Sequence, residues 1–113
     1  MMDTEIASRI DLDEDSLFEL LSRELTLGVG PQDPAARRAF GRAWFTANLG
    51  RLRAAVCGAP AITAFRADKA DVATTISAVA DLVASVTSAP AACTVATLLV
   101  RYGLNRLCGG GPA

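Results

Sequence analysis

Two of the three cysteines in this chain occur in matching surroundings. Cys57 lies in the stretch RLRAAVCGAP and Cys108 in GLNRLCGGGPA, and a glycine follows each of them directly. If the two thiols lie together, they can form a disulfide or take part in a metal site. The plainer interpretation, which we favour, is that both are small apolar side chains packed where helix ends converge, since free cysteine is among the most buried residue types. The sequence contains no CxxC motif, so a zinc site has no support.

Other catalytic chemistry has little basis in this sequence. The chain contains no histidine, which removes the commonest general base and metal ligand. It also lacks the GxSxG, P-loop, GxGxxG and HExxH motifs. The glycines at 109–111 open no helix and so cannot cradle a phosphate. We therefore predict a protein that is not an enzyme and that holds no cofactor and no metal ion.

The N-terminal stretch MMDTEIASRIDLDED is acidic and lacks an apolar core segment, which predicts neither a secretory signal nor a transit peptide. Three cysteines without an export signal favour a cytoplasmic, reducing setting with free thiols. The chain has one lysine against ten arginines, a bias that suggests a GC-rich bacterial genome.

The composition and the hydrophobic spacing together predict an all-α fold. Alanine dominates the hydrophobic residues and aromatic residues make up only 5%, which favours closely packed helices over a sheet. The first main helix begins with Asp11 as N-cap and Glu14 as its capping-box partner, and it ends before Gly28. Its core face repeats every fourth residue at Leu17, Leu21 and Leu25.

The second main helix is predicted from Pro34, capped by Asp33, to about Cys57. It carries two apolar strips, separated by about 140° at 100° per residue. The first strip consists of Phe40, Trp44 and Ala47, and the second of Phe45, Leu49, Leu52 and Val56. A helix that is apolar on two sides is either central in a bundle or keeps one side for a partner.

The third main helix starts after Asp68 or Asp71 and runs to about Thr87, and Pro90 opens the last one. The core stripe of the third helix comprises Val72, Ile76, Val79, Val83 and Val86. The last helix carries Val95, Leu98, Leu99, Tyr102, Leu104 and Leu107. We expect a single domain over residues 1–108, built as a compact bundle of four main helices, followed by a flexible tail at 109–113. Short helices at 3–10 and 61–67 would bring the number to five or six.

The directions of these helices explain the repeated Cys-Gly endings. Helices joined by short loops alternate in direction, so the second and last helices run parallel. Their C-termini then lie at the same end of the bundle, which brings Cys57 and Cys108 together and places Cys93 at the other end. Residues 76–100 contain Asp81 as their only charge, but the sequence Ser88-Ala89-Pro90 interrupts them. We therefore predict two core helices there, with a membrane-spanning hairpin as the minor alternative.

Charge is strongly segregated along the chain. Residues 1–33 contain nine acidic residues and two arginines, a net charge of −7. Residues 34–67 contain six arginines and no acidic residue, a net charge of +6. The remaining residues balance to zero, so the overall charge of −1 hides this segregation.

Two interpretations of this charge pattern remain open. In one, the first two main helices pack together and opposite charges flank their contact, where each exposed pair contributes under about 1 kcal/mol. In the other, an acidic and a basic surface mediate head-to-tail association with a second copy or a related module. The candidate acidic face is Asp13, Glu14, Glu19 and Glu24, and the candidate basic face is Arg37, Arg38, Arg42 and Arg53.

Other binding functions follow less directly from the sequence. The nearby acidic residues would repel phosphate, so we predict no nucleic-acid partner. An alternative function is the binding of a small apolar ligand in a core pocket between Phe40, Trp44 and the valine-isoleucine stripe of the third helix. A further alternative is a thiol switch formed by Cys57 and Cys108.

Two stretches, GRAWFTANLGRLRAAVCG and TVATLLVRYGLNRLCGG, give the chain a resemblance to a class of known domains. It resembles the small helical adaptor modules, of effector-associated or death-like type, in bacterial conflict and signalling systems. The resemblance covers most of the chain and rests on segment texture, without a diagnostic motif. It implies non-catalytic association with a like module, with an effector enzyme as a further partner.

Overall fold

The structure, a computed structural model, describes residues 2–59, 62 and 71–109. The described residues contain helices and no strand, so the prediction of an all-α fold is confirmed. The helices are α1 (Met2–Arg9), α2 (Glu14–Thr26), α3 (Pro34–Cys57), α4 (Val72–Val83), α5 (Ala89–Tyr102) and α6 (Leu104–Leu107). The short N-terminal helix is present as α1, whereas the expected helix at 61–67 and the tail after residue 109 lie outside the described residues, apart from the buried Ile62.

The starts of α3 and α4 agree with the sequence. Asp33 accepts a hydrogen bond from the Ala36 backbone N–H at 3.0 Å, and Pro34 occupies the first helical position. Asp71 caps α4 in the same way by accepting from the Thr74 N–H at 3.0 Å. The alternative cap, Asp68, lies outside the described residues.

The predicted cap of α2 is wrong by two residues. Asp13, not Asp11, accepts the Ser16 backbone N–H at 2.8 Å, and α2 begins at Glu14. Asp11 belongs to the turn after α1, where the Leu12 N–H donates to the Arg9 carbonyl at 3.0 Å. Hydrogen bonds from the side chain and then the backbone of Ser16 lower the pKa of Asp13 below its usual value.

α2 ends just before Gly28 as predicted, whereas two later helices are shorter than predicted. After α2, Leu27 and Gly28 both have positive φ, and the Gly28 N–H donates to the Arg23 carbonyl at 2.9 Å. α4 ends at Val83, earlier than the predicted Thr87. The last helix is not continuous either, because Gly103, at φ 104°, separates α5 from α6.

In the predicted core stripe of α4, the central residues are buried and the two end residues are not fully buried. Ile76, Val79 and Val83 are fully buried, but Val72, in the first turn of α4, is 50% exposed, which corrects that end of the predicted stripe. Val86 is only partly buried, because it follows the end of the helix. The turn after Val83 also divides the stretch 76–100, and none of the described helices is both long and apolar enough to cross a membrane.

The contact between α2 and α3 is unusually close at Gly41. This glycine is buried, and a Cβ at its position would overlap the backbone carbonyl of Phe18. Beside this point the Phe18 and Phe45 rings meet edge to face, with centroids 5.8 Å apart. Any side chain at Gly41 would therefore force the two helices apart.

We predict opposite effects for two glycine-to-alanine substitutions within α3. Gly41→Ala should lower the free energy of unfolding by about 1 to 3 kcal/mol, because α2 must move away. Gly50→Ala should raise it by up to about 1 kcal/mol, because alanine is the better helix former and nothing lies within 4 Å of the added Cβ. Urea unfolding of both variants measures the difference. A stabilising Gly41→Ala would contradict the close packing.

Candidate interaction surface

Half of the predicted acidic and basic residues lie opposite each other along the α2–α3 contact, namely Glu14, Glu19, Arg38 and Arg42. Arg42 Nη2 lies 3.0 Å from Asp15 Oδ1 and 3.9 Å from Glu14 Oε1. Arg38 Nη1 lies 3.7 Å from Glu19 Oε2. These pairs flank the helix contact and are partly solvent-exposed, so each contributes under about 1 kcal/mol. The structure therefore brings these charges together instead of presenting them as two separate surfaces.

Glu24, a predicted member of the acidic face, forms a largely buried ion pair that joins two helices. Its Oε2 lies 2.7 Å from Arg9 Nη2, and each side chain is only 12% exposed. Arg9 also donates from Nε to Thr94 Oγ1 at 2.8 Å, which ties α1 to both α2 and α5. Asp13 is exposed but serves as the cap of α2. Glu24 is therefore held within the domain, whereas Asp13 remains exposed while it caps α2.

Three arginines of α3 make contacts only with neutral acceptors among the described residues. Arg37 donates from Nε to the Pro31 carbonyl at 2.8 Å, and Arg51 donates to Asn48 Oδ1 at 3.3 Å. Arg53, which is exposed, donates from Nε to the Leu107 carbonyl at 2.8 Å. No carboxylate of the described part of the chain lies within 4.0 Å of these guanidinium groups. Within the described residues, no carboxylate therefore offsets their positive charges.

α3 also presents an apolar side to solvent. Six exposed residues recur at alternating four- and three-residue spacing, and we refer to them as the outer face: Ala36, Phe40, Ala43, Ala47, Gly50 and Ala54. At 100° per residue they lie opposite the buried Phe45, Leu52 and Val56, and they extend over about 27 Å of helix. Phe40, the largest of them, is 40% exposed. Such spacing is that of a helix that packs against another helix.

The two apolar strips predicted on α3 thus have different environments. The strip of Phe45, Leu52 and Val56 is buried, with Leu49 partly buried beside it. From the other strip, Trp44 packs partly against the core, whereas Phe40 and Ala47 belong to the outer face. The sequence showed both strips but not which one would remain exposed.

The cysteines correct one expectation. Cys57 and Cys108 form a disulfide, with their Cα atoms 5.4 Å apart, so the favoured interpretation of two free packed thiols is wrong for this pair. Their shared position at one end of the bundle is as predicted. Cys93 is free and buried, and burial raises the pKa of its thiol, which keeps it neutral. The described residues hold no cluster of three or more potential metal-binding side chains.

The described residues form a shallow groove at the surface. Phe40 is exposed and the Ile76–Val83 stripe is buried, and an apolar pocket between them stays a prediction. The groove, of about 250 Å³, lies on the outer side of α2 and the preceding turn. It is lined by Leu12, Ser16, Glu19, Leu20 and Arg23.

Known proteins add no direct evidence about this surface. No protein-family model, no curated protein and no solved structure matches the chain. The resemblance to helical adaptor modules therefore remains a prediction.

We predict that Glu24 and Glu19 differ sharply in their contribution to stability. Glu24→Gln should lower the free energy of unfolding by about 2 to 3 kcal/mol, because it leaves the guanidinium of Arg9 buried without a counter-charge. Glu19→Gln, the matched control in an exposed pair, should change it by less than about 1 kcal/mol. Thermal or urea unfolding distinguishes them. Equal effects would contradict the structural assignment of Glu24.

Proposed function

We propose that this chain is a non-catalytic protein–protein interaction module whose partner is a helix with acidic flanks that lies along the outer face of α3. The observation that carries the proposal is the exposed apolar heptad-like spacing on a helix whose opposite side is already buried in the core. The sequence resembles cytoplasmic adaptor modules of bacterial signalling or defence systems, and this resemblance implies non-catalytic association with a like module. An effector enzyme or a related helical module carrying such a helix is the proposed partner.

The shape of the outer face favours a helical partner. Alanine and glycine allow a second helix to approach α3 closely along most of its length. Phe40 provides the one large apolar anchor on this otherwise smooth face, and buried aromatic anchors commonly dominate binding energy. A helix seated there would add its packing to a surface that is now open to water.

The charges next to the outer face favour acidic flanks on that partner. Arg51 and Arg53 lie on opposite sides of the outer face, as their positions on a 100° helical wheel require. Neither has a carboxylate partner among the described residues. α3 contains no acidic residue, so two copies paired through this helix would place arginines against arginines. This repulsion disfavours a symmetric dimer through α3.

Head-to-tail self-association is the second candidate that the sequence raised. It would require the acidic side of α2 to leave Arg38 and Arg42 and bind the arginines of another copy. Because these carboxylates already have partners within the chain, the exchange brings little net gain. Charge reversal at Arg38 and Arg42 should therefore affect the α2–α3 contact more than any association.

Binding of a defined acidic helix tests the proposal. The probe is a labelled synthetic peptide of about three heptads, with leucine and alanine on one face and glutamate on the flanks. Fluorescence anisotropy should show binding that weakens between about 50 and about 500 mM salt. A matched peptide with lysine in place of glutamate should not bind.

Substitutions on and off the outer face provide the controls. Arg51→Glu and Ala47→Glu should each weaken peptide binding by about tenfold or more, through charge repulsion and, at Ala47, obstruction. Arg23→Glu and Ala7→Glu change exposed residues on α2 and α1 and should leave binding unchanged. Equal binding of the lysine peptide, or indifference to both α3 substitutions, would refute the proposal. Light scattering that showed a salt-sensitive oligomer of the chain alone would favour head-to-tail association instead.

A further inference from the structure

The disulfide joins two helix ends that are far apart in the sequence. Cys57 is the last residue of α3, and Cys108 directly follows α6, 51 residues later. Both cysteines are only partly buried, and each is followed by an exposed glycine, Gly58 or Gly109. With no side chain on either glycine to cover it, the disulfide can be approached by an external thiolate, which is the requirement for thiol–disulfide exchange.

The residues next to Cys108 form a small separate unit, which we call the latch segment (104–108). Gly103 precedes it and Gly109 follows it, with φ angles of 104° and 101° that side-chain-bearing residues rarely adopt. The unit contains only the four-residue helix α6, which is too short to be stable without outside contacts. Its position therefore depends on what attaches it to the rest of the domain.

Leu104 of the latch segment packs against the core, and the Arg106 guanidinium lies 4.4 Å from the centre of the Tyr102 ring. Three further attachments connect the segment to α3 and the core. One is the disulfide itself. The second is the hydrogen bond from Arg53 Nε to the Leu107 carbonyl, from the residue one helical turn before Cys57. The third is the side chain of Leu107, which is completely buried in the core. Apart from the peptide bond to Gly103, the disulfide is the covalent attachment among these, and the hydrogen bond from Arg53 depends on the segment remaining close to α3.

We propose that the Cys57–Cys108 disulfide is a redox-controlled latch, cleaved by a dithiol, whose reduction releases the latch segment while the rest of the bundle stays folded. A thiolate of the dithiol attacks one sulfur, forms a mixed disulfide, and displaces the other cysteine as a thiolate that takes up a proton. The second thiol of the reductant then attacks the mixed disulfide. The net result is two cysteine thiols on the chain and a disulfide in the reductant, a transfer of two electrons.

The latch also acts on the proposed docking surface, and this consequence alone rests on the proposed function. While it is closed, the Leu107 carbonyl fixes the Arg53 side chain next to the outer face, and no carboxylate of the described residues lies within 4.0 Å of its guanidinium group. A surface that is ordered before binding loses less conformational entropy when a partner binds. The oxidised protein should therefore bind the acidic peptide several-fold more tightly than the reduced protein.

Hydrogen exchange measures the release directly. The Leu107 and Cys108 amides donate to the Gly103 and Leu104 carbonyls, each at 2.9 Å, and so report on the latch segment. Reduction with dithiothreitol should accelerate their exchange by about tenfold or more, whereas the amide of the core residue Leu52 should change little. The double variant Cys57→Ser/Cys108→Ser should exchange rapidly without reductant. Cys93→Ala, with the disulfide intact, should respond as the original protein does.

Three results would overturn the latch. Uniform acceleration at every amide would show that the disulfide stabilises the whole fold, and no acceleration would show that the segment is held without it. Three thiols that react with maleimide after treatment with oxidised glutathione, in protein unfolded by urea, would show that no disulfide forms. Peptide binding is measured separately. If the latch segment is released and peptide binding does not change, the latch is supported and its effect on the docking surface is contradicted.

Discussion

The close approach of α2 and α3 at Gly41 determines much of the remaining geometry. Because a single glycine lets the Phe18 backbone contact α3, the two helices pack at short range and direct Phe45 into the core. The arginines that flank this contact, Arg38 and Arg42, then lie within reach of carboxylates on α2. Charge attraction is too weak to define this interface, since exposed pairs contribute little, and steric fit at one position is the stronger constraint.

The same contact explains why α3 has an unpartnered side. A helix that buries Phe45, Leu52 and Val56 must turn the residues 180° away from them toward solvent, and here those are alanine, glycine and Phe40. Solvated helix faces are usually rich in charged residues. The arginines of α3 lie instead beside this face, where three of them have no carboxylate partner among the described residues. Apolar packing and charge thus both support the proposed occupant, an amphipathic helix with acidic flanks.

Local signals predicted the helices well and the tertiary contacts less well. Asp33-Pro34 and the glycine after Cys57 defined both ends of α3, because caps and breakers act within one turn. Asp11 was the wrong cap for α2, because the sequence alone did not show how far α1 and its turn would extend. The sequence contains no local pattern that predicts the Arg9–Glu24 pair, because the pair joins two different helices and depends on how they pack. The two strips of α3 were visible, but which one faces the core depends on Gly41, whose role is apparent only once α2 is in place.

The disulfide affects the two halves of α3 differently. α2 accompanies α3 only up to the region of Arg42, where its first turn supplies Glu14 and Asp15. Beyond that point, the half that carries Ala47, Gly50 and Ala54 is anchored near its end by Cys57 and Arg53. In a reducing compartment this anchor would open and close with the dithiol pool. The contacts between α2 and α3 would persist. The order of the outer face would depend on redox state in the half of α3 that lies farthest from α2.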